Sequence, residues 1–213
     1  MTVRGRGRRS IRLKGYDYAQ PGAYFVTICV QNRERLFGDI VDGEMMMNDA
    51  GRMVQTEWER LPERFPMVDL DAYIVMPNHL HGIVIIVDPA VTPHMSGPAV
   101  TSHMSGPVGA TLVVAPDGVV APDGVVAPGA GTSPAPTVTL GDVVGAFKSI
   151  TTNAYIRGVR ELGWPPFDRR LWQRNYYEHI VRDEGELQRI RDYIRANPAR
   201  WAEDRENPRC VTI

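Results

Sequence analysis

Residues 73–87, YIVMPNHLHGIVIIV, contain two apolar, strand-like runs with a His-Leu-His step between them. Side chains alternate between the two faces of a strand, so His79 and His81 point the same way while Leu80 points into the core. Two residues along a strand span roughly 6.5–7 Å, so both imidazoles can converge on one ion. The pair therefore predicts half of a metal site, with a third ligand supplied from elsewhere.

A chance histidine pair at a polar strand end is the alternative interpretation of this step. Pro77 and Asn78 are turn formers set directly against buried strand. Polar residues at the mouth of an apolar sheet mark a site more often than a packing accident, so the flanking residues favour the metal site.

The composition is that of an ordinary globular protein. With 213 residues, 43% hydrophobic and 23% charged, the chain is long enough for one domain with its own core. Its apolar runs are too short to cross a bilayer and no signal segment opens it, so we expect no membrane partner. Cys29 and Cys210 fit no metal or redox spacing, which favours a reducing cytoplasm.

Basic residues concentrate at the two ends of the chain, although the net charge is only −1. Residues 1–14 form an arm that includes Arg8 and Arg9 and has no acid. Arginines are again frequent after Lys148. Local charge of this kind favours a polyanionic partner, and a solvated surface with a disordered tail is the alternative.

The first half of the chain predicts strand, hairpin, helix, strand, strand. Residues 23–30 are β-branched and aromatic, and Asp42-Gly43 is typical of a hairpin turn. Asn48 is a suitable N-cap for a helix over about 49–61. This order fits the first half of a split β-α-β-β-α-β arrangement, and a second helix is expected on the same face of the sheet.

Residues 89–137 change character completely. Two near-repeats, 92–100 and 101–109, precede a second tandem motif that starts at Val113. Such Pro- and Gly-rich, charge-poor sequence cannot bury enough surface to fold alone, so it predicts a flexible insertion. His94 and His103 belong to the repeats and are discounted as ligands.

Order resumes at Leu140 with a helix that places Lys148 on the solvent side. Residues 172–182 predict an edge strand or extended segment. Asp183 and Glu186 resemble a capping box that opens a last helix, which continues to about Ala196 and is stopped by Pro198.

Tyr193 and Asn197 lie one turn apart on this last helix, beside its apolar stripe. The amide oxygen can bind a hard cation, and the phenol can approach a group that the cation holds. A tyrosine that merely packs is the alternative. Tyr176 and Tyr177 compete for the same role, but they are adjacent, so only one could face the metal.

An ordered set of motifs resembles the single-tyrosine HUH transposases, most closely the REP-associated tyrosine transposases. The set covers residues from about 10 to 200 apart from the insertion, and its members are Tyr24-Phe-Val-Thr-Ile28, Met76-Pro-Asn-His-Leu-His-Gly82, Trp172-Gln-Arg174, Glu178-His179 and Tyr193-Ile-Arg-Ala-Asn-Pro198.

The resemblance implies an α+β fold, a ferredoxin-like or RRM-like sandwich with an antiparallel central sheet and helices on one face. Residues 15–88 and 138–202 would form the catalytic domain and 203–213 a C-terminal tail. It further implies a monomeric or homodimeric enzyme that cuts single-stranded or hairpin DNA with Mg²⁺ or Mn²⁺.

The resemblance also assigns roles to individual residues. His79 and His81 match the metal-binding pair, Tyr193 matches the nucleophile that forms a 5′-phosphotyrosine, and Asn197 stands where related enzymes carry a Gln ligand. The candidates for phosphate contacts are Arg8, Arg9, Lys148 and Arg174.

Two other functions stay open on this scaffold. One is a catalytically idle protein that binds DNA or RNA hairpins, and the other is a metal-dependent phosphodiesterase in which water attacks and Tyr193 only packs.

Overall fold

The computed structural model of the chain describes residues 16–87 and 138–208. The strands in these ranges are β1 (Gly22–Cys29), β2 (Gly38–Val41), β3 (Glu44–Met47), β4 (Val68–Met76), β5 (His79–Ile86) and β6 (Tyr177–Val181). The helices are α1 (Asp49–Glu59), α2 (Leu61–Arg64), α3 (Leu140–Glu161) and α4 (Glu184–Ala196), with 3₁₀ turns at Gln31–Arg33 and Pro198–Glu203.

One antiparallel sheet has the strand order β4-β5-β1-β6. The register pairs Thr27 of β1 with His81 of β5 on one side and with Tyr177 of β6 on the other. The predicted α+β class and antiparallel central sheet are therefore confirmed. The predicted edge strand is also found, since β6 lies at the sheet border.

The predicted hairpin forms a separate two-stranded ribbon of β2 and β3. Asp42 and Gly43 have φ values of 51° and 79°, so the turn places both residues in the left-handed region. Asp-Gly is favoured there because glycine adopts positive φ without strain and aspartate tolerates it.

Capping side chains fix the helix starts, as the sequence predicts. The Asn48 side chain accepts a hydrogen bond from the N–H of Gly51 at 2.9 Å. Asp183 does the same for the N–H of Glu186 at 2.7 Å. The carboxylate of Glu186 accepts from the backbone of Arg182, one residue earlier than a complete capping box requires.

The larger core lies on one face of the sheet, beneath α1 and α3. Its fully buried members include Tyr24, Val26 and Ile28 of β1, which alternate with the residues of the other face. Trp58 of α1 packs over Gly82, where a Cβ atom would lie 2.4 Å from the indole ring. A glycine is required at this point of β5 because the helix approaches so closely.

The opposite face is covered by α4. Phe25, Ile83 and Ile194 form a second, smaller buried cluster there. The structure therefore differs from the prediction that all helices share one face, since α1 and α3 do so and α4 does not. The second face had to be covered because Phe25 and Ile83 are apolar side chains pointing away from the main core.

Side-chain pairs fasten α4 to the two borders of the sheet. Arg191 donates to Asp71 of β4 through two nitrogens, at 2.9 and 2.6 Å. His179 of β6 lies 2.8 Å from the Glu186 carboxylate. These contacts fix the rotation of the helix over the sheet.

Several predictions fall outside the described residues. They concern Cys210, the basic arm with Arg8 and Arg9, and the repeat insertion. The division of the chain into a domain and an insertion therefore stays a prediction. In the described ranges, no helix is long and apolar enough to cross a bilayer.

Candidate active site

Both histidines are buried at the end of β5 that follows the Pro77-Asn78 turn. Asn78 donates through its amide nitrogen to the carbonyl oxygens of Arg33 and Glu206, at 3.0 and 2.7 Å. This fixes the amide so that its oxygen faces Nδ1 of His79 at 2.8 Å. Because that oxygen can only accept, Nδ1 carries the proton and Nε2 of His79 presents a lone pair to the site.

His81 is held in a matching way by β1. Its Nδ1 lies 2.8 Å from the hydroxyl of Thr27, the residue paired with it across the sheet. Its ring stacks on Phe25 with centroids 5.5 Å apart. The Nε2 atoms of His79 and His81 are 3.0 Å apart, so the predicted convergence of the two imidazoles is found.

Burial sets the charge of both rings. It lowers the pKa of His81 to about 3, and it lowers the pKa of His79 well below the usual value, with a further contribution from the charges of His81 and Arg33. Both imidazoles are therefore neutral near pH 7, which is the form that coordinates metal ions.

Tyr193 reaches the same point from α4. Its hydroxyl oxygen lies 3.4 Å from Nε2 of His81, and the side chain is 43% exposed. Burial raises the pKa of the Tyr193 phenol, and the negative charge of Asp204 raises it further. A side-chain hydrogen bond with Asn197 lowers this pKa. Tyr193 is thus close to the histidines, accessible from the cleft, and protonated unless a positive charge is placed beside it.

Asn197 follows the last residue of α4 and keeps helical backbone angles despite the proline after it. Its side-chain oxygen is buried and has no hydrogen-bond partner among the described residues. Asn197, Tyr193 and His81 line one cleft of about 550 Å³. The predicted pairing of Tyr193 and Asn197 on one helix face is therefore found, while a ligand role for Asn197 stays a prediction.

Asp204 is a site residue that sequence analysis missed. The 3₁₀ turn after α4 leads the chain back beneath the histidines, so that the Asp204 carboxylate lies 3.7 Å from Nε2 of His79. Trp201 packs beside His79 with ring centroids 6.0 Å apart. The large apolar side chain of Trp201 could have indicated that the segment after α4 packs against the domain and does not begin a free tail.

The contacts around Asp204 hold this segment in place. One carboxylate oxygen accepts from the N–H of Glu206 at 2.7 Å, while the other is buried and lacks a hydrogen-bond partner in residues 16–87 and 138–208. Glu206 in turn pairs with Arg33 at 2.8 Å. Burial raises the pKa of Asp204, so its negative charge is costly without a cation nearby.

The donor set of this site fits a divalent cation. One atom from each of His79, His81 and Asp204 lies within 4.8 Å of the others. Two ligands at right angles, each about 2.1 Å from an ion, are about 3 Å apart, which matches the separation of the two Nε2 atoms. The lone pair of His79 and the unpaired oxygen of Asp204 are acceptors facing each other, and a cation would satisfy both.

Lys148 and Arg174, two of the residues predicted to contact phosphate, lie within the described ranges. Lys148 donates to the carbonyl oxygens of Gln173, Arg174 and Asn175 and lies over the Tyr176 ring, so it is turned to this loop and not to solvent. The Arg174 side chain is exposed. Phosphate contacts by Lys148 and Arg174 stay predictions.

The structure also shows the positions of Tyr176, Tyr177 and Cys29. Tyr177 lies on the site face but is separated from His81 by the ring of Phe25, while Tyr176 packs against the main core. Cys29 is partly exposed and donates from sulfur to Glu206 at 3.4 Å.

Comparison with known proteins identifies a relative that covers most of the chain. An uncharacterized protein of Haemophilus influenzae is 39% identical over 197 residues, which cover 92% of this chain and 91% of the relative. The chain belongs to the same family as this protein. No protein-family model matches the chain.

Two solved structures resemble the fold. One is a REP-associated tyrosine transposase bound to a REP hairpin, with 14% identity, a TM-score of 0.47, and coverage of 89% of this chain and 74% of the other. The second is a candidate transposase of Deinococcus radiodurans R1, with 13% identity, a TM-score of 0.40, and coverage of 86% and 95%. At these TM-scores and identities neither likeness indicates a function.

Proposed function

We propose that this protein is a metal-dependent, single-tyrosine DNA transposase that cleaves and rejoins single-stranded DNA carrying a hairpin. One observation supports it above the others: the hydroxyl oxygen of Tyr193 lies 3.4 Å from Nε2 of His81, beside the buried group of His79, His81 and Asp204. A nucleophile next to a predicted cation site in an open cleft is the arrangement that phosphoryl transfer by tyrosine requires.

We assign the metal ligands to His79, His81 and Asp204. A divalent cation held by them would polarise the scissile phosphate and favour the ionised form of Tyr193. Two imidazole nitrogens suit Mn²⁺ better than Mg²⁺. Asn197 is a fourth candidate, because its oxygen is buried in the same cleft without a hydrogen-bond partner in the described residues.

The reaction itself needs one protein nucleophile. The oxygen of Tyr193 attacks phosphorus and loses its proton, the bond to the 3′ oxygen breaks, and that oxygen leaves as a 3′-hydroxyl after taking up a proton. The product is a 5′-phosphotyrosine. A later 3′-hydroxyl can reverse the step and join strands without ATP, because the covalent intermediate conserves the phosphodiester bond energy.

Denaturing electrophoresis after incubation with hairpin-bearing single-stranded DNA and Mn²⁺ tests this proposal. We expect a covalent protein–DNA band from the wild type and none from Tyr193→Phe. Tyr16→Phe is the matched control, since it removes a phenol hydroxyl near Tyr24, outside the cleft, and should leave the band unchanged.

Other outcomes of the same gel identify the alternatives. Cleavage by both wild type and Tyr193→Phe without a covalent band would assign the attack to water. Binding of the hairpin without cleavage at any concentration of Mn²⁺ or Mg²⁺ would overturn the nuclease and leave a hairpin-binding protein.

A further inference from the structure

Tyr177 is an exposed aromatic residue beside the candidate site that the proposed chemistry does not use. It is the first residue of β6 and its side chain is 47% exposed. Its strand partner is Thr27, which holds His81, so Tyr177 lies on the same face of the sheet as the histidines.

Phe25 connects Tyr177 with the reacting groups. The Phe25 ring stacks on His81 and meets the rings of Tyr193 and Tyr177 edge to face, with centroid distances of 6.0 and 6.2 Å. Tyr177 is thus one ring away from the nucleophile, with much of its side chain open to solvent. A ring that only filled the core would be covered instead.

The surroundings of Tyr177 suit a nucleotide. The cleft of about 550 Å³ is within the range of small-molecule sites, and it has aromatic and polar walls. Gln173 and Asn175 contribute amide groups to the lining, and Arg200 and Arg205 contribute positive charge beside the carboxylates of Glu203 and Glu206. Amides can bond base edges and arginines can bind phosphate, while the π-face of a base can stack on the tyrosine.

We propose that Tyr177 stacks on an unpaired nucleobase next to the scissile phosphate and so positions that phosphate in front of Tyr193. This inference rests on the proposed cleavage of single-stranded DNA. The base must be unpaired because a base inside a duplex has its faces covered by its neighbours. Tyr177 is a positioning residue here and takes no part in bond making.

A comparison of two strands with and without bases tests the proposal. The full-length protein is titrated into fluorescein-labelled (dT)₁₂ and into a twelve-unit abasic deoxyribose-phosphate strand, and binding is followed by fluorescence anisotropy. We expect Tyr177→Ala to weaken binding of (dT)₁₂ by roughly 5- to 150-fold, the range that one stacked base supplies. Binding of the abasic strand should not change.

Two further variants separate stacking from a general loss of structure. Tyr177→Phe keeps the ring and should bind (dT)₁₂ like the wild type. Leu162→Ala removes an apolar side chain that is 67% exposed and outside the cleft, and it should affect neither strand. Equal weakening of both strands by Tyr177→Ala, or of neither, would overturn the proposal.

The covalent assay distinguishes failure of this inference from failure of the proposed function. If Tyr177→Ala forms the adduct at saturating DNA but needs a higher concentration of DNA, positioning by Tyr177 is supported. A second outcome is that the adduct forms in the wild type while Tyr177→Ala changes neither the affinity for DNA nor the dependence of adduct formation on DNA concentration. That result would support the proposed nuclease and contradict stacking by Tyr177. A base-dependent loss of affinity without any adduct in the wild type would support stacking and contradict the nuclease.

Discussion

The two faces of β1 and β5 are made from alternate residues of the same strands, yet they differ in polarity and in the size of their apolar clusters. On one face, Tyr24, Val26 and Ile28 join a large apolar core under two helices. On the other, Thr27 and Phe25 support a polar group of histidines beside a small apolar cluster. The comparison indicates that one face holds the main core while the other holds the candidate site, and variants can separate the two.

Trp58→Ala should have the largest effect, and it should act on the fold. Trp58 is fully buried and packs directly on Gly82, so its loss leaves a cavity beneath α1. We expect a loss of about 3–5 kcal/mol in the free energy of unfolding, measured by urea denaturation. Trp58→Phe keeps most of the contact and should cost less. A loss below 1 kcal/mol in Trp58→Ala would contradict a fold-determining role for this face.

Mn²⁺ should stabilise the protein only by binding to His79, His81 and Asp204. At about 100 times its dissociation constant, a ligand that binds only the folded state adds about 2.7 kcal/mol to the free energy of unfolding. The Mn²⁺-dependent rise in melting temperature should be absent in His81→Ala, reduced in Asp204→Asn and retained in Trp58→Phe. An unchanged rise in His81→Ala would refute the assigned site.

Asn78→Ala should weaken Mn²⁺ binding by about 10- to 100-fold, although Asn78 is not a ligand. Its amide fixes the proton of His79 on Nδ1, and without it the ring can rotate and change tautomer. Asn48→Ala is the matched control, since it also removes bonds to backbone groups but lies at the start of α1. Isothermal titration with Mn²⁺ should give the wild-type constant for the control, and the same constant for Asn78→Ala would count against this role.

Asp71→Asn should have the smallest effect and should depend on pH. The Arg191 guanidinium lowers the pKa of Asp71, chiefly through hydrogen bonds, so the pair stabilises the folded state most when the carboxylate is ionised. That contribution is fully present above the unfolded pKa, about 3.9, and is lost as the pH falls through the lower folded pKa.

Melting temperatures of Asp71→Asn and wild type should therefore differ by a few degrees at pH 7, and the difference should shrink progressively as the pH falls below about 4. A difference that stayed constant down to pH 2 would show that the carboxylate charge is not responsible.

Sequence analysis could predict the features that depend on residues close in sequence. These are the histidine strand, the hairpin, the helix caps and the spacing of Tyr193 and Asn197 on one helical turn. His79 and His81 share a face by strand periodicity, and Asn48 caps the helix that follows it. Asp204 could not be predicted in this way. Its place beside His79 depends on the 3₁₀ turn and on contacts of Glu206 with Asn78 and Arg33, which are remote in sequence.

The position of α4 on the second face was missed for a related reason. Its apolar stripe shows that one side is buried, but a stripe does not identify which of two apolar faces it covers. Phe25 and Ile83 determine which face α4 covers, because they form the second apolar cluster. That they lie together can be recognised only when the strand register is known.

The chain leaves the sheet toward the repeats after β5, at the end opposite to His79. Eight residues of strand put roughly 23 Å between His79 and Ile86, and α3 begins near Tyr18 at that same far end, where the N–H of Leu140 bonds the Tyr18 carbonyl. Tandem repeats gain and lose copies when DNA is replicated. A gain or loss of repeat units would change the chain between Ile86 and Leu140, two attachment points at the end of the sheet remote from His79.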